Sequence, residues 1–296
     1  VTEARVDPEM DCPIESIGGD EAIACSDVYR PDTQIPADAT YSAFAIDATS
    51  GAVGDRASFV GTAANTVVYM SPDALYVAYT VSTPRAELLG PFLQEEFDWT
   101  PSWVADRVAE IQSSDVSANS KEREIRLTVD EWIESLPDDD RETVRESLWS
   151  SFGAYVATHQ RNLTRTGIVR VGVDGDALAV GATGAVPGHP LNQFSMSQHD
   201  GTLRITTTIP RAGGAESQND LYTLDAASLE RRGAVTGMGD GQEVYAVRYV
   251  EDTAYVVTFR RVDPLHVVNL SNPDDPEEVG ELELPGFSTY LHPIDD

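Results

Sequence analysis

The sequence predicts an all-β fold: a β-propeller, or a multi-blade segment of one, with an α-helical insertion in one blade. Three observations predict it. First, one short β-unit recurs along the chain: an apolar strand, a second strand ending in Asn or Asp, a turn, and a third strand. The clearest copy is Glu251–Pro285, EDTAYVVTFRRVDPLHVVNLSNPDDPEEVGELELP; weaker copies occupy Asp200–Val235 and the segment from Asp73. Such a repeat marks a stacked architecture, and four-stranded units of this size form propeller blades. Second, the runs between turns are rich in Val, Ile, Tyr, Phe and Thr, as strands are. Third, the period changes abruptly at Pro84 from two to a helical one.

Taken in order, Val1–Asp20 is acidic and rich in turn residues, and Glu21–Tyr29 reads as a strand. Tyr41–Ile46 and Ala57–Val60 flank a turn at Ser50–Gly51, and Thr66–Met70 and Ala74–Val81 follow. Helices then occupy the chain to Asn162. Thr100-Pro101 gives an N-cap and a proline at the first helical position, with Trp103, Val104, Val108 and Ile111 on one face. Asn119–Leu136 carries Ile125, Val129, Ile133 and Leu136 on one stripe. Asp138–Asp140 opens a third helix, where carboxylates complement the dipole, and Val144, Leu148, Phe152, Tyr155, Val156 and His159 form its stripe. Strands resume at Gly167. Aligning the units gives a first strand type (Ala74–Val81, Thr202–Ile209, Ala254–Phe259) and a second (Ser42–Ile46, Ile168–Val173, Leu221–Leu224, Leu265–Leu270). A third strand follows, then a strand leading to the next unit (Thr66–Met70, Gln193–Met196, Val244–Tyr249, Phe287–His292). The domains are therefore 1–84 with 165–296 as one discontinuous propeller domain, and 85–164 as a helical subdomain between the first and second strands of a blade.

The charge constrains partners. Asp and Glu number 50 against 20 Lys and Arg, a net charge of −30, and Lys121 is the only lysine. Self-repulsion at this charge destabilises a compact state in dilute buffer, and halophilic proteins use that lever; molar salt shortens the Debye length to about 3 Å. The acid is spread over structured segments, which points to high-salt adaptation rather than an acidic tail. Nucleic acid and anionic membranes are poor partners for it. No apolar run approaches the ~18–20 residues that span a bilayer, and no signal peptide is visible. The chain begins at Val1, so a processed piece of a longer protein is expected. Cys12 and Cys25 are the two cysteines. A close pair fits one disulfide in an oxidising compartment, against the alternative of two unrelated buried thiols. Sequons at Asn162 and Asn269 permit glycosylation outside the cell, though such triplets are common by chance.

Long ordered segments carry a family likeness. Tyr255–Asp296 (YVVTFRRVDPLHVVNLSNPDDPEEVGELELPGFSTYLHPIDD), Cys25–Gly51 and Thr166–Ile209 resemble the C-terminal β-propeller domain of secreted archaeal and bacterial proteins, and the acidic bias resembles a haloarchaeal member. The resemblance implies an exported or surface-anchored propeller with no established activity, and it supplies no catalytic residues.

Motif analysis agrees. His159, His189, His199, His266 and His292 have no metal-binding spacing; His159 continues a helix stripe, while His266 and His292 lie on strands, where lining a central channel is an alternative. No Gly-x-Ser-x-Gly elbow or phosphate loop occurs, and Gly237–Gly241 reads as an exposed turn. Asp174-Gly175-Asp176 and Asn272–Asp275 offer oxygens to calcium, but neither completes the order of a calcium loop, and solvated turns explain both. The leading function is a non-enzymatic secreted or cell-surface scaffold for a protein or glycan partner. Trp99, Trp103, Trp132 and Trp149, all within or beside the helices, are the candidate docking residues; a small helical core is the alternative reading. An extracellular, metal-assisted hydrolase with a site over the channel is the runner-up. Titratable groups converging at the channel mouth would favour the enzyme, and an apolar or aromatic patch the scaffold.

Overall fold

The computed structural model describes residues 2–3, 28–30, 37–259, 263–284 and 291. Cys12, Cys25, His292 and the strand expected at Phe287–His292 lie outside the described residues.

Two compact units form: Val1–Val81, Arg165–Ile209 and Gln218–Asp296 make the first, and Ser82–Thr164 with Pro210–Ser217 the second. The second unit thus takes in the loop Pro210–Ser217, which lies far from the helices in sequence and was not expected there.

The described residues of the first unit form four four-stranded sheets. Three are meanders of consecutive antiparallel strands. One contains β5 (Val67–Met70), β6 (Ala74–Ser82), β7 (Thr164–Asp174) and β8 (Ala177–Pro187); the next has β9 (Met196–His199), β10 (Thr202–Ile209), β11 (Gln218–Asp225) and β12 (Arg231–Met238). The last has β13 (Glu243–Val250), β14 (Thr253–Phe259), β15 (Asp263–Asn269) and β16 (Glu277–Leu284). Because β5 opens its sheet, the helices fall between the second and third strands of that blade, not the first and second. The strand expected at Gln193–Met196 instead begins at Met196. Asn192 and Ser195 form a reciprocal capping box that curls Gln193–Ser195 into a 3-10 turn.

The remaining sheet departs from the repeat. It contains β1 (Thr2–Glu3), β2 (Val28–Arg30), β3 (Ala39–Ile46) and β4 (Val53–Gly61) in the order β1-β2-β4-β3. The short β2 pairs in parallel with β4, Val28 opposite Ser58. This makes β3 an edge strand, whereas Ser42–Ile46 was expected in an interior position. Its burial shows why: β3 alternates half-buried and exposed residues, while β4 buries the run Ala57–Phe59.

Side-chain alternation builds the core between successive sheets. On β6, Tyr76 and Ala78 join Ile168, Leu203, Ile205, Tyr222 and Leu224 on one side; Val77 and Tyr79 join Phe59, Val169 and Val171 on the other. Leu221, Met238, Val244, Val256 and Val268 fill the space between the last two sheets. Both faces of these strands are buried, which explains their continuous apolar runs.

The repeated Asn or Asp at strand ends has a local cause. Asp47, Asp225 and Asn269 each accept a hydrogen bond from the amide two residues on, at Thr49, Ala227 and Ser271. These Asx turns reverse the chain between the last two strands of a unit. Asn269, in the second sequon, thereby has a structural role of its own, and its side chain stays exposed.

The second unit contains α1 (Ala86–Pro91), a π-turn at Phe92–Glu96, α2 (Ser102–Ser113), α3 (Ala118–Ser135), α4 (Asp138–Thr158) and α5 (Gln160–Leu163). Helix α2 starts one residue later than the Thr100-Pro101 signal suggested, with Pro101 itself at the N-cap. Ser117 caps α3 by accepting from the Ser120 amide at 3.2 Å. Val104, Val108, Ile125, Val129, Ile133 and Leu148 form the core with Leu89, Phe92 and Leu93. The loop Pro210–Ser217 is bound to α5 by the Gln160 side-chain amide, which donates to the Pro210 and Glu216 carbonyls at 2.7 and 2.8 Å. Gly213 sits against α4 with φ +60°, where an added Cβ would lie 2.3 Å from the Gly153 carbonyl oxygen. Only glycine fits there.

Candidate functional site

The first strands of the three meander sheets converge on one cavity of about 500 Å³. Strand β5 supplies Val68, Tyr69 and Met70; the turn and start of β9 supply Gln193, Phe194, Met196 and Ser197; β13 supplies Arg248 and Tyr249. The volume lies in the range of ligand pockets. Period-two alternation explains its chemistry. Val67 and Tyr69 turn toward the sheet core, so Val68 and Met70 point away from it, and they are 50% and 65% exposed. Phe194 stands on the 3-10 turn and is 41% exposed.

The cavity floor is held by polar side chains. Tyr69 accepts a hydrogen bond from the Gln198 amide at 2.9 Å and stacks on Tyr76, ring centres 6.0 Å apart. Tyr249 shares a 2.7 Å hydrogen bond with the Thr206 hydroxyl and donates to the Ser195 carbonyl at 3.3 Å. The Arg204 guanidinium lies 5.0 Å from the centre of the Tyr249 ring, donates to Ser197 Oγ at 2.8 Å and also donates to the Glu251 carbonyl. Burial pushes the Tyr249 hydroxyl well above its ordinary pKa and lowers that of Arg204. Tyr249 is therefore a neutral, fixed wall. Among the described residues, Arg248 brings the one cationic side chain of the lining, and its buried Nε has no hydrogen-bond partner among them.

The tryptophans divide into two pairs. Trp132 is buried in the helical core, and Trp149 is partly buried against it with its ring edge on Phe152, 6.0 Å between centres. Helix α3 turns Trp132 inward, whereas Trp149 stays half-buried and lines a cavity of about 280 Å³ with Leu89, Arg126, Phe152 and Val156. Trp99 and Trp103 remain 54% and 45% exposed. Trp103 was expected on the face of Val104, Val108 and Ile111; those three are buried and Trp103 points out. The one-residue step from Trp103 to Val104 turns about 100° around the helix, enough to separate them.

Other residues resolve as follows. Asn162 is exposed on α5. His159 caps α4, half-buried, its Nδ1 2.8 Å from the Tyr155 carbonyl oxygen. His266 is buried on a third strand and does not line the cavity. Asp174-Gly175-Asp176 is a tight turn, Asp174 paired with Ala177 and Gly175 at φ +58°. Asn272–Asp275 clasps the preceding sheet: Arg232 donates to both Asp274 oxygens at 2.8 and 2.9 Å, and Thr223 Oγ1 to the Pro273 carbonyl at 2.6 Å. The Arg232 guanidinium holds the Asp274 carboxyl below its usual range. The cavity residues were missed in the sequence because they carry no motif; the recurring strands that lead into each unit (Thr66–Met70, Gln193–Met196, Val244–Tyr249) were the available signal.

Residues 3–296 match the family model described as "Beta propeller domain". The chain belongs to this family. Two relatives of the propeller are uncharacterised proteins of Archaeoglobus fulgidus, 36% identical over 288 residues, and Methanocaldococcus jannaschii, 36% identical over 292 residues. The alignments cover 96% of this propeller chain and 45% and 46% of those proteins, so the chain spans about half their length. Among solved structures, a europium-containing methanol dehydrogenase is similar at 12% identity with a TM-score of 0.31, covering 41% of this chain and 22% of that one. A likeness of that size carries no function across.

Proposed function

We propose that this propeller is a non-enzymatic scaffold, exported or displayed at the cell surface, that binds a protein or glycan partner and is adapted to high salt. One observation supports the reading: the cavity is lined by Val68, Met70, Phe194, tyrosines and Arg248, with no carboxylate and no histidine among the described residues that line it. Hydrolytic chemistry needs a positioned acid, base or metal, and the lining offers none of the usual groups. It offers an apolar rim, an aromatic ring and one cation. That set fits an apolar side chain flanked by a carboxylate, or a sugar ring stacked on Phe194. The negative surface supports the high-salt part of the proposal.

Display selection on an acidic-plus-apolar peptide library, run beside a glycan array, tests the assignment. Binding by the native chain that falls at least tenfold in Phe194→Ala and Arg248→Ala is the expected result. Equal binding by native and variant chains would remove the cavity from the proposal. The second reading places recognition on the helical unit, favoured by the exposed Trp99 and Trp103. Loss of binding in a Trp99→Ala, Trp103→Ala double variant, with the cavity variants unaffected, would select it.

A further inference from the structure

We propose that His266, Glu278 and Glu281 form a binding site for a divalent first-row transition ion, of the zinc or manganese kind, on the last sheet of the propeller. Three side chains offer His266 Nδ1 and two carboxylate oxygens, all within 4.8 Å of one another. Ligand atoms of one tetrahedral zinc, with bonds of about 2.0–2.2 Å, lie about 3.4 Å apart, so the exposed Glu281 must rotate inward to close the set. Imidazole with carboxylates suits these ions, whereas calcium and magnesium prefer oxygen alone.

The register of the sheet assembles the site. His266 is paired with Glu281 across β15 and β16, so both point to one face. Glu278 and Glu281 are three apart and in a regular strand would face opposite ways. The register slips between Val267–Gly280 and Val268–Glu278, leaving Val279 as the extra residue. That bulge turns Glu278 to the His266 face and sends Val279 outward, 58% exposed.

Hydrogen-bond accounting supplies an independent reason. Thr258 has one hydroxyl hydrogen, and it goes to Gln242 Oε1 at 2.6 Å. With the Gln242 amide in this orientation, the 3.0 Å contact between Thr258 Oγ1 and His266 Nε2 is a hydrogen bond donated by Nε2. A neutral ring then presents the Nδ1 lone pair to Glu278 Oε1, 2.7 Å away. His266 is 1% exposed, and at 2.7 Å apart the two atoms would sit beside a shared ion, bonds of about 2.1 Å meeting there at about 80°. Thr258 and Gln242 have the form of an outer shell that fixes the tautomer of a metal-binding histidine. A bound proton would satisfy Nδ1 and Glu278 but would give Glu281 no part, and this separates the two explanations.

Calorimetric titration of the chelator-treated full chain with Zn²⁺ and with Mn²⁺, in about 1 M KCl to screen loose binding by surface carboxylates, tests the site. One saturable site per chain is expected, weaker by tenfold or more in Glu281→Gln, whose melting temperature without metal should equal the native value because Glu281 is exposed. Metal should raise the native melting temperature and leave that of Glu281→Gln nearly unchanged. Co²⁺ should give visible absorption bands in the native chain that Glu281→Gln weakens or loses. Absence of saturable binding, or equal binding and spectra in the native and Glu281→Gln chains, would overturn the proposal in favour of a proton-bridged His266–Glu278 pair.

Discussion

Single residues set the tolerances between sheets. Gly233 on β12 faces the Asn272–Asp275 clasp, and a Cβ there would lie 2.5 Å from Pro276 Cδ and 2.7 Å from the Pro273 carbonyl oxygen. Backbone cannot yield as a side-chain tip can. Gly233→Ala should therefore lose about 1–3 kcal/mol, read by urea unfolding; an unchanged midpoint would show that the clasp moves freely. Tyr79 makes a second residue-scale prediction. Burial, with Tyr41 adding to it, pushes its hydroxyl up to about 12 from the ordinary value of 10.0. The folded state favours the neutral phenol, so this contribution is complete below pH 10 and declines as pH rises toward 12. Absorbance titration should show Tyr79 ionising above the exposed tyrosines, and Tyr79→Phe should flatten the loss of stability in that window.

At the scale of elements, the helical unit has its own core and its own cost of damage. Leu148 on α4 and Trp132 on α3 are buried in it. Leu148→Ala should lose about 2–5 kcal/mol and Trp132→Ala about 3–5 kcal/mol, from lost burial plus the cavity left behind. Trp99→Ala and Trp103→Ala should stay within about 0.5 kcal/mol, as exposed positions do. Four melts compared by circular dichroism and tryptophan fluorescence check the division. The α3 and α4 stripes were legible because 3.6-residue periodicity reports a buried face directly. The outward turn of Trp103 was not, since hydrophobicity names a candidate for the core without fixing its angle around α2.

For the whole molecule, charge dominates. A net charge of −30 with a single lysine leaves few attractive pairs to offset carboxylate repulsion. Melting temperature should rise by many degrees between about 0.1 M and 3 M KCl. Coincident melts would remove the high-salt adaptation from the proposal.

The sequence by itself determined the repeat, the turns after a strand-ending Asn or Asp and the segment that becomes helical, because each is written in local periodicity and turn chemistry. Tyr76 and Val77 alternate, Asp225 and Asn269 end their strands, and Pro84 stops the pattern wherever the chain later goes. Tertiary structure alone decided which strands pair, and hence which side chains meet. It placed β2 beside β4, drew Pro210–Ser217 to the helices, and joined β5, β9 and β13 around one cavity. It also set the bulge at Val279 that carries Glu278 to His266. Pairing and register depend on contacts between residues far apart in the chain, and a slip of one position exchanges the two faces of a strand; no local pattern records that choice.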